Sequence, residues 1–402
     1  MEAQRTAETV ARASYGRLVA LLAIRSRDIA AAEDALAEAF RTALELWPVQ
    51  GVPDRPEAWL LTAARRHLGH SYRHSQVQAG AAATLDLLAE ERAEATEAFP
   101  DSRLKLLFVC AHPAIDPAVH TPLMLQTVLG LDAARIGAAF LVPPATMGQR
   151  LVRAKSKIRD AGIRFDVPEA PDLPARLDAV LAAVYAAYGS AWEAQPGTAV
   201  GLAEEALYLA RLLTALLPEE PEALGLLALI RYCDARAAAR RDGAGRFVPL
   251  ADQETALWSR PALIEAEEAL TRAARLRRFG RFQTEAAIQS FHCQRRLGAA
   301  VPLTALVALY DVLMQMAPSV GAAVARAAAV GEAYGPEAGL AQLAALDPAE
   351  VAAYQPFWAA RAHLLRLAGD GEAARAAFDQ AIAFSVDPSV RAYLEDQRSA
   401  CG

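Results

Sequence analysis

Apolar residues recur every three to four positions along almost the whole chain, in segments rich in alanine and leucine, while alternating β-branched runs are nearly absent. That period belongs to amphipathic helices and not to strands, so the expected fold class is all-α. At 402 residues and 54% hydrophobic, the chain can bury a sizeable core and form two or three domains. The net charge of −6 excludes a protein coated uniformly with nucleic acid. Its cations cluster near residues 60–75 and 150–164, so any contact with DNA is expected to be local. Cys110, Cys233, Cys293 and Cys401 lie far apart, with neither metal-type nor redox-type spacing, and read as reduced thiols. The opening residues MEAQRTAETVARAS lack an apolar core, and no apolar run reaches the roughly 18 residues of a membrane span. A cytoplasmic protein with no membrane contact is the expectation.

Punctuation divides the chain into four parts. Residues 8–76 carry expected helices over Ser14–Ile24, Ala31–Leu46 and from Pro56 to about Tyr72, with the loop WPVQGVPDRPE between the last two. Residues 77–100 are polar and rich in Ala and Glu, as a linker is. Residues 101–165 form a second unit, with a helix around Leu123–Val128. The proline-rich joint DVPEAPDLP then separates residues 170–400, which read as helical hairpins: 174–188, 199–216, 221–240, 263–275, 284–296, 303–316, 320–334 and onward. From Trp358 to Ala381, the residues Trp358, Ala362, Leu365, Ala374, Phe378 and Ala381 fall at tetratricopeptide-like offsets, although Pro388 comes about two residues late. Repeats of this kind stack helix pairs and leave a concave surface for a partner.

Within the second unit, Leu131–Arg159 reads as a helix-turn-helix. Asp132 stands as N-cap, Ile136, Ala139 and Phe140 keep helical spacing, and Val142-Pro143-Pro144 stops the first helix. A second helix is expected from near Thr146, with Leu151, Val152 and Ile158 buried and Arg150, Arg153, Lys155, Lys157 and Arg159 outside. A basic second helix suits the major groove. The same pattern also describes an ordinary helical hairpin with a solvated basic face.

The stretch DIAAAEDALAEAFRTALELWPVQGVPDRPEAWLLTAAR resembles region 2 of an RNA polymerase sigma factor of the extracytoplasmic-function type, and Leu131–Arg159 resembles region 4. The segments LPARLDAVLAAVY, LLPEEPEALGLLAL, GRFQTEAAIQS and YQPFWAARAHLL are similar to the helical-repeat extension of a long subgroup of that family. The resemblance implies a sigma region 2 helical domain, a region 4 helix-turn-helix domain and a C-terminal TPR-like domain. The partners it implies are core RNA polymerase and promoter DNA, with a regulatory protein at the repeat domain. Asp34, Glu38 and Phe40 would meet the polymerase; two carboxylates four residues apart share a helical face that suits a basic surface. The loop Trp47–Pro56 would lie near a flipped base of the −10 element, although Trp47 and Trp59 read as core residues. Arg65, Arg66 and Arg73 would hold phosphates. Thr146, Gln149, Arg150 and Arg153 would read base edges of the −35 element, while Lys155, Lys157 and Arg159 hold phosphates.

Several positions depart from the family pattern. Arg66 and His70 stand where its melting helix usually has Asn and Asp, Gly69 lies mid-helix, Ala37 replaces a common Gln, and Arg135 replaces a common acid. Tyr188-Gly189-Ser190-Ala191 replaces an N-E-G-Y-like stretch. His67, His70 and His74 share a helical face, yet no further ligand accompanies them, so phosphate proximity is a better reading than a metal. No phosphate loop, GxSxG, HExxH or paired-carboxylate motif is present, so neither an enzyme nor a cofactor is expected. DQETALW, with Asp252, Glu254 and Trp258, fits a turn or partner surface. Two other readings stand beside the initiation factor: a sigma-like interaction scaffold that does not open promoters, and a regulator whose repeat domain senses a ligand.

Overall fold

In the computed structural model, residues 2–75, 102–140, 142–169, 172–193 and 202–401 are described. Their regular structure is helical, with no strand beyond an isolated bridge between Arg241 and Phe247. The all-α expectation holds. Among the described residues no helix is long and apolar enough to cross a membrane. The linker read at 77–100 lies outside them, as do the side chains of His70, Tyr72, Arg73 and His74.

Two compact units form, Met1–Leu209 and Ala210–Gly402. The first contains α1 (Glu2–Ser26), α2 (Ile29–Gln50), α3 (Pro56–Ser75), α4 (Arg103–Cys110), α5 (Pro117–Leu129), α6 (Ala133–Ala139), α7 (Pro144–Asp160) and α8 (Leu173–Glu193). Short polar residues start these helices. Asp28 accepts from the Ala31 amide at 3.2 Å, Asp116 from Ala118 at 3.0 Å and Asp132 from Arg135 at 2.7 Å. Pro117 and Pro144 sit in first turns, where a missing N–H costs nothing.

Helices α1, α2 and α3 pack on one another around Leu18, Leu22, Ile29, Leu36, Leu60 and Leu61. Arg17 reaches from α1 to Glu57 at the start of α3, at 2.5 Å, and Ser14 donates to the same carboxylate. Helix α5 is buried on nearly every side; His120 and Thr121 find partners there, while Gln126 Oε1 is buried without one among the described residues. His120 Nε2 lies 3.0 Å from the Ile115 carbonyl, and Thr121 donates to the Ala183 carbonyl of α8 at 3.0 Å. Burial pushes the Cys110 thiol up to about 12, as befits a structural thiol lying 3.3 Å from the Thr127 hydroxyl.

Several boundaries differ from those expected; α1 begins at Glu2, well before Ser14, and α5 begins at Pro117, before Leu123. Helix α2 runs through Trp47-Pro48 to Gln50 and does not end at Leu46. Pro48 removes only the donor to the carbonyl of Leu44, itself half exposed, and Gly51 in the left-handed region donates to the Trp47 carbonyl at 3.0 Å. Helix α7 begins at Pro144, two residues before Thr146, because its fixed φ already suits a first turn. The helix from Pro221 ends at Ala235 and is followed by a 3₁₀ turn over Ala237–Arg240.

The helix α9 (Leu202–Leu216) leads to the second unit: α10 (Pro221–Ala235), α11 (Arg260–Arg275), α12 (Arg281–Arg296), α13 (Leu303–Met316), α14 (Val320–Tyr334), α15 (Pro336–Ala344), α16 (Pro348–Val351), α17 (Gln355–Leu367), α18 (Gly371–Ala383) and α19 (Pro388–Ser399). Helix α10 is the buried axis of its hairpins, packed by α11 and α12. The Glu222 carboxylate accepts from the amides of Phe282 at 2.8 Å and Gln283 at 3.2 Å, satisfying the first turn of α12. The approach is close enough that a Cβ on Gly225 would lie 2.6 Å from the Gln283 amide nitrogen. The tetratricopeptide-like offsets are realised in α17 and α18, where Ala362, Ala374, Phe378 and Ala381 form one buried cluster and Trp358 and Leu365 pack against it. Pro388 occupies the first turn of α19, which adds Leu394 to that cluster.

Candidate nucleic-acid interface

The hairpin α6–α7 presents the residues singled out for DNA. Met147, Leu151, Ala154 and Ile158 recur at intervals of four, three and four and are buried, so α7 has one fixed inner face. The opposite edge carries Thr146, Gln149, Arg150, Arg153 and Lys157, all exposed. Arg150, Arg153 and Lys157 have no ion pair among the described residues. A cationic edge of this kind, one helix long, offers guanidinium forks to base edges or phosphates and an ammonium to phosphate.

Two residues of α7 are not where the sequence placed them. Val152, expected inside, is 62% exposed, because it falls outside the 147–151–154–158 stripe. Lys155, expected outside on a phosphate, is buried. Its Nζ lies 2.5 Å from Glu33 Oε2 of α2, with the two side chains only 9% and 14% exposed. Position 155 is four residues after Leu151 and three before Ile158, so it shares the inner stripe. Burial pushes the Glu33 carboxyl above its ordinary range, against the pull of Lys155 and its hydrogen bond. The other Glu33 oxygen is buried without a hydrogen-bond partner among the described residues. Arg159 stays on the outer edge but is already engaged, 2.9 Å from Asp160 and 3.6 Å from Asp28. Neither Glu33 nor Asp28 stood out as a partner, since nothing local in the sequence links them to residues more than 120 positions away.

On α3, Arg66 is exposed and Arg65 half-buried, while Arg73 lies beyond the described side chains. His67 is half-buried, and no metal-holding group of His, Cys, Asp and Glu occurs among the described residues. Trp47 is 3% exposed and packs edge-on against the half-buried Trp59, with centroids 5.6 Å apart, as the core reading expected. The loop that follows α2 is only 51–55.

On α2, Asp34 is exposed, Phe40 half-buried, and Glu38 turned to Arg41, which donates from Nε at 2.9 Å and also reaches Glu45. Arg41 holds the Glu38 carboxyl below its ordinary range. Such solvent-exposed pairs contribute little and exchange readily for a partner's charges. DQETALW forms two 3₁₀ turns in which Gln253 and Trp258 are buried and Asp252 and Glu254 exposed, with Arg296 donating to the Gln253 carbonyl at 2.8 Å. This stretch is a packed connection within the second unit.

Comparison with known proteins adds a family. A family of unknown function, DUF6596, matches residues 176–274. The uncharacterized protein R00370 of Rhizobium meliloti (strain 1021) is 37% identical over 382 residues, which cover 92% of this chain and 90% of that one. No solved structure matches. Identity at that level, sustained across nine-tenths of both chains, makes this chain a member of the family of the uncharacterized protein R00370.

Proposed function

We propose that the chain is a sigma-type transcription initiation factor. In this reading α1–α3 bind core RNA polymerase and the −10 element, α6–α7 read the −35 element, and the helical repeat beyond residue 170 modulates the pair. The observation that carries the reading is the exposed edge of α7, with Thr146, Gln149, Arg150, Arg153 and Lys157 aligned opposite a buried stripe on a two-helix hairpin. Together with the ordered resemblance to sigma regions 2 and 4, this edge supports major-groove binding by α7 and phosphate contact by Arg66. The protein does no covalent chemistry of its own; it positions DNA and polymerase. The cytoplasm is where such a partner resides.

Run-off transcription with core polymerase and the full chain tests the proposal. A discrete start site that depends on the chain is the expected result, and polymerase activity unchanged by the chain would refute it. Truncation after about residue 168 is expected to change transcript yield but not the start site.

A second reading, a scaffold that binds polymerase without opening DNA, draws on α3. There Arg66 and His70 occupy the usual Asn and Asp positions, and Gly69 weakens the helix by about 1 kcal/mol relative to Ala. Co-purification with core polymerase without permanganate-reactive thymines would favour it.

A further inference from the structure

The turn that joins α11 to α12 in the second unit carries a further concentration of charge. Residues 272–281, RAARLRRFGR, contain five arginines and no acid, in a chain whose net charge is −6. Two of the five are engaged. Arg278 donates to the Glu219 carbonyl at 2.7 Å and lies 3.5 Å from Glu220, and Arg281 lies 2.7 Å from Glu285. Arg272, Arg275 and Arg277 are exposed and have no ion pair among the described residues. Phe279 stands in the same turn, 73% exposed and with no ring contact among the described residues.

The backbone of this turn is fixed from its inner side. Arg277 follows the cap of α11, where glycine is usual, and adopts φ 55° in the left-handed region. Gln283 donates to the Arg278 carbonyl at 2.7 Å and to Glu222 Oε1 at 3.1 Å. Glu222 also accepts from the first amides of α12, so that helix terminus is already occupied by a carboxylate. Gly280 is required there, because a Cβ would clash with the Glu222 carboxyl. What remains outward is one ring and three guanidinium groups on an anchored turn. Little further order is lost when a partner settles on such a turn.

We propose that this turn binds single-stranded nucleic acid, with a base stacked on Phe279 and phosphates held by Arg272, Arg275 and Arg277. Arg272 and Arg275 share one face of the last turn of α11, two residues short of Arg277. Unpaired like charges so close together repel one another, and a polyanion relieves the repulsion. All three are arginines, whose planar forks match phosphate oxygens. The ring decides which polyanion. A base in an unpaired strand offers a free face to stack on, whereas a duplex must first unstack a step. An acidic peptide would satisfy the arginines and leave the ring without a partner, and a lipid surface takes an apolar face and not a lone ring among cations. The site lies in a different unit from α7 and does not rest on the reading of that helix.

Fluorescence anisotropy of the full chain with labelled thymidine and uridine oligomers of about 12 nucleotides tests the site. Phe279→Ala is expected to weaken binding at least about fivefold, the lower end for one base stacked on a ring, while Phe279→Trp keeps the natural affinity. Arg275→Gln is expected to lower the slope of log K against log salt by about 0.7, and Arg277→Asn, an amide that tolerates the left-handed region, does the same. All three positions are exposed, and circular dichroism verifies that the variants fold. The arm that shows the Phe279 loss identifies the strand as DNA or RNA. No binding by the natural chain, or binding that Phe279→Ala leaves unchanged, would overturn the proposal. So would an equal loss on a duplex of the same length, which assigns the ring to wedging, or equal affinity for polyglutamate of matched charge, which assigns the turn to an acidic protein. A Phe279 loss on anionic vesicles with none on the oligomers assigns it to a lipid surface and overturns it too. The double variant Arg150→Ala/Arg153→Ala in α7 keeps the two sites apart: it is expected to weaken duplex binding and leave the Phe279 effect on the oligomers intact.

Discussion

The buried Lys155 and the exposed Lys157, two residues apart on one helix, make opposite predictions in a salt titration. If the outer edge of α7 meets DNA through Arg150, Arg153 and Lys157, three cations release counterions, and the slope of log K against log salt is about −2.7 from this helix. Raising salt from about 50 to 200 mM then weakens that contribution about fortyfold. Lys157→Ala removes one contact, bringing the slope to about −1.8 and the loss to about twelvefold. Lys155 faces Glu33 and releases nothing, so the Glu33→Gln/Lys155→Met double variant, which leaves no buried charge, is expected to keep the natural slope. Fluorescence anisotropy with a labelled duplex of about 20 base pairs, titrated with KCl, reads all three proteins, and the differences cancel any contribution from Arg66. A slope reduced by about 0.9 in the double variant and unchanged in Lys157→Ala would refute the assignment of inner and outer faces.

Three further outcomes follow from the same geometry. Lys155→Met alone strands the Glu33 carboxylate in the interior and is expected to cost about 3–5 kcal/mol at pH 8, read from hydrogen exchange in α2 and α7 peptides. The penalty shrinks toward pH 5 as Glu33, whose pKa is already raised by burial, takes up a proton, and adding Glu33→Gln recovers most of it. In the second unit, burial and the nearby Arg236 push His292 down to about 4, so its folded pKa lies below the unfolded value near 6.5. Its stabilisation is therefore present above pH 6.5 and is lost as pH falls toward 4, by at most about 3 kcal/mol; thermal melts of His292→Gln are expected to be flatter over that window. His112 and His363, also lowered chiefly by burial, contribute with the same sign and leave a residual slope. Gly225→Ala, which drives a methyl to 2.6 Å from the Gln283 amide nitrogen, is expected to destabilise the second unit by about 1–3 kcal/mol in urea unfolding, whereas Gly189→Ala on α8, with open space around it, stabilises by up to about 1 kcal/mol.

Local chemistry made most of the fold legible, and the Asp132 cap shows how. An acceptor one residue before an apolar helical stripe can satisfy an orphan amide whatever the rest of the chain does, and the 2.7 Å bond to Arg135 follows from it. The tetratricopeptide-like offsets succeeded for the same reason, since Ala362, Ala374 and Phe378 need only their neighbouring helix to be buried. Proline was read too strongly as a stop. Pro144 opens α7 and Pro48 sits in the last turn of α2, because a missing donor matters only where a carbonyl awaits it.

The face of α7 divides the two kinds of information more sharply. A stripe of Met147, Leu151, Ala154 and Ile158 already contains position 155 by angle, so periodicity alone favours an inward Lys155 and an outward Val152. Residue type argued the reverse, because a lysine is seldom buried and a valine seldom belongs among the exposed residues of a helix. Type loses here because Glu33 neutralises the ammonium, and Glu33 is 122 residues away on another helix. An ionisable side chain at an inward register position is thus itself a signal. It requires a counter-charge on whatever packs there, and α2, with Asp28, Glu33 and Asp34 along one stretch, is an acidic surface that can supply one. The helix with the exposed cationic edge therefore carries, on its inner face, the cation that holds it to the acidic helix α2.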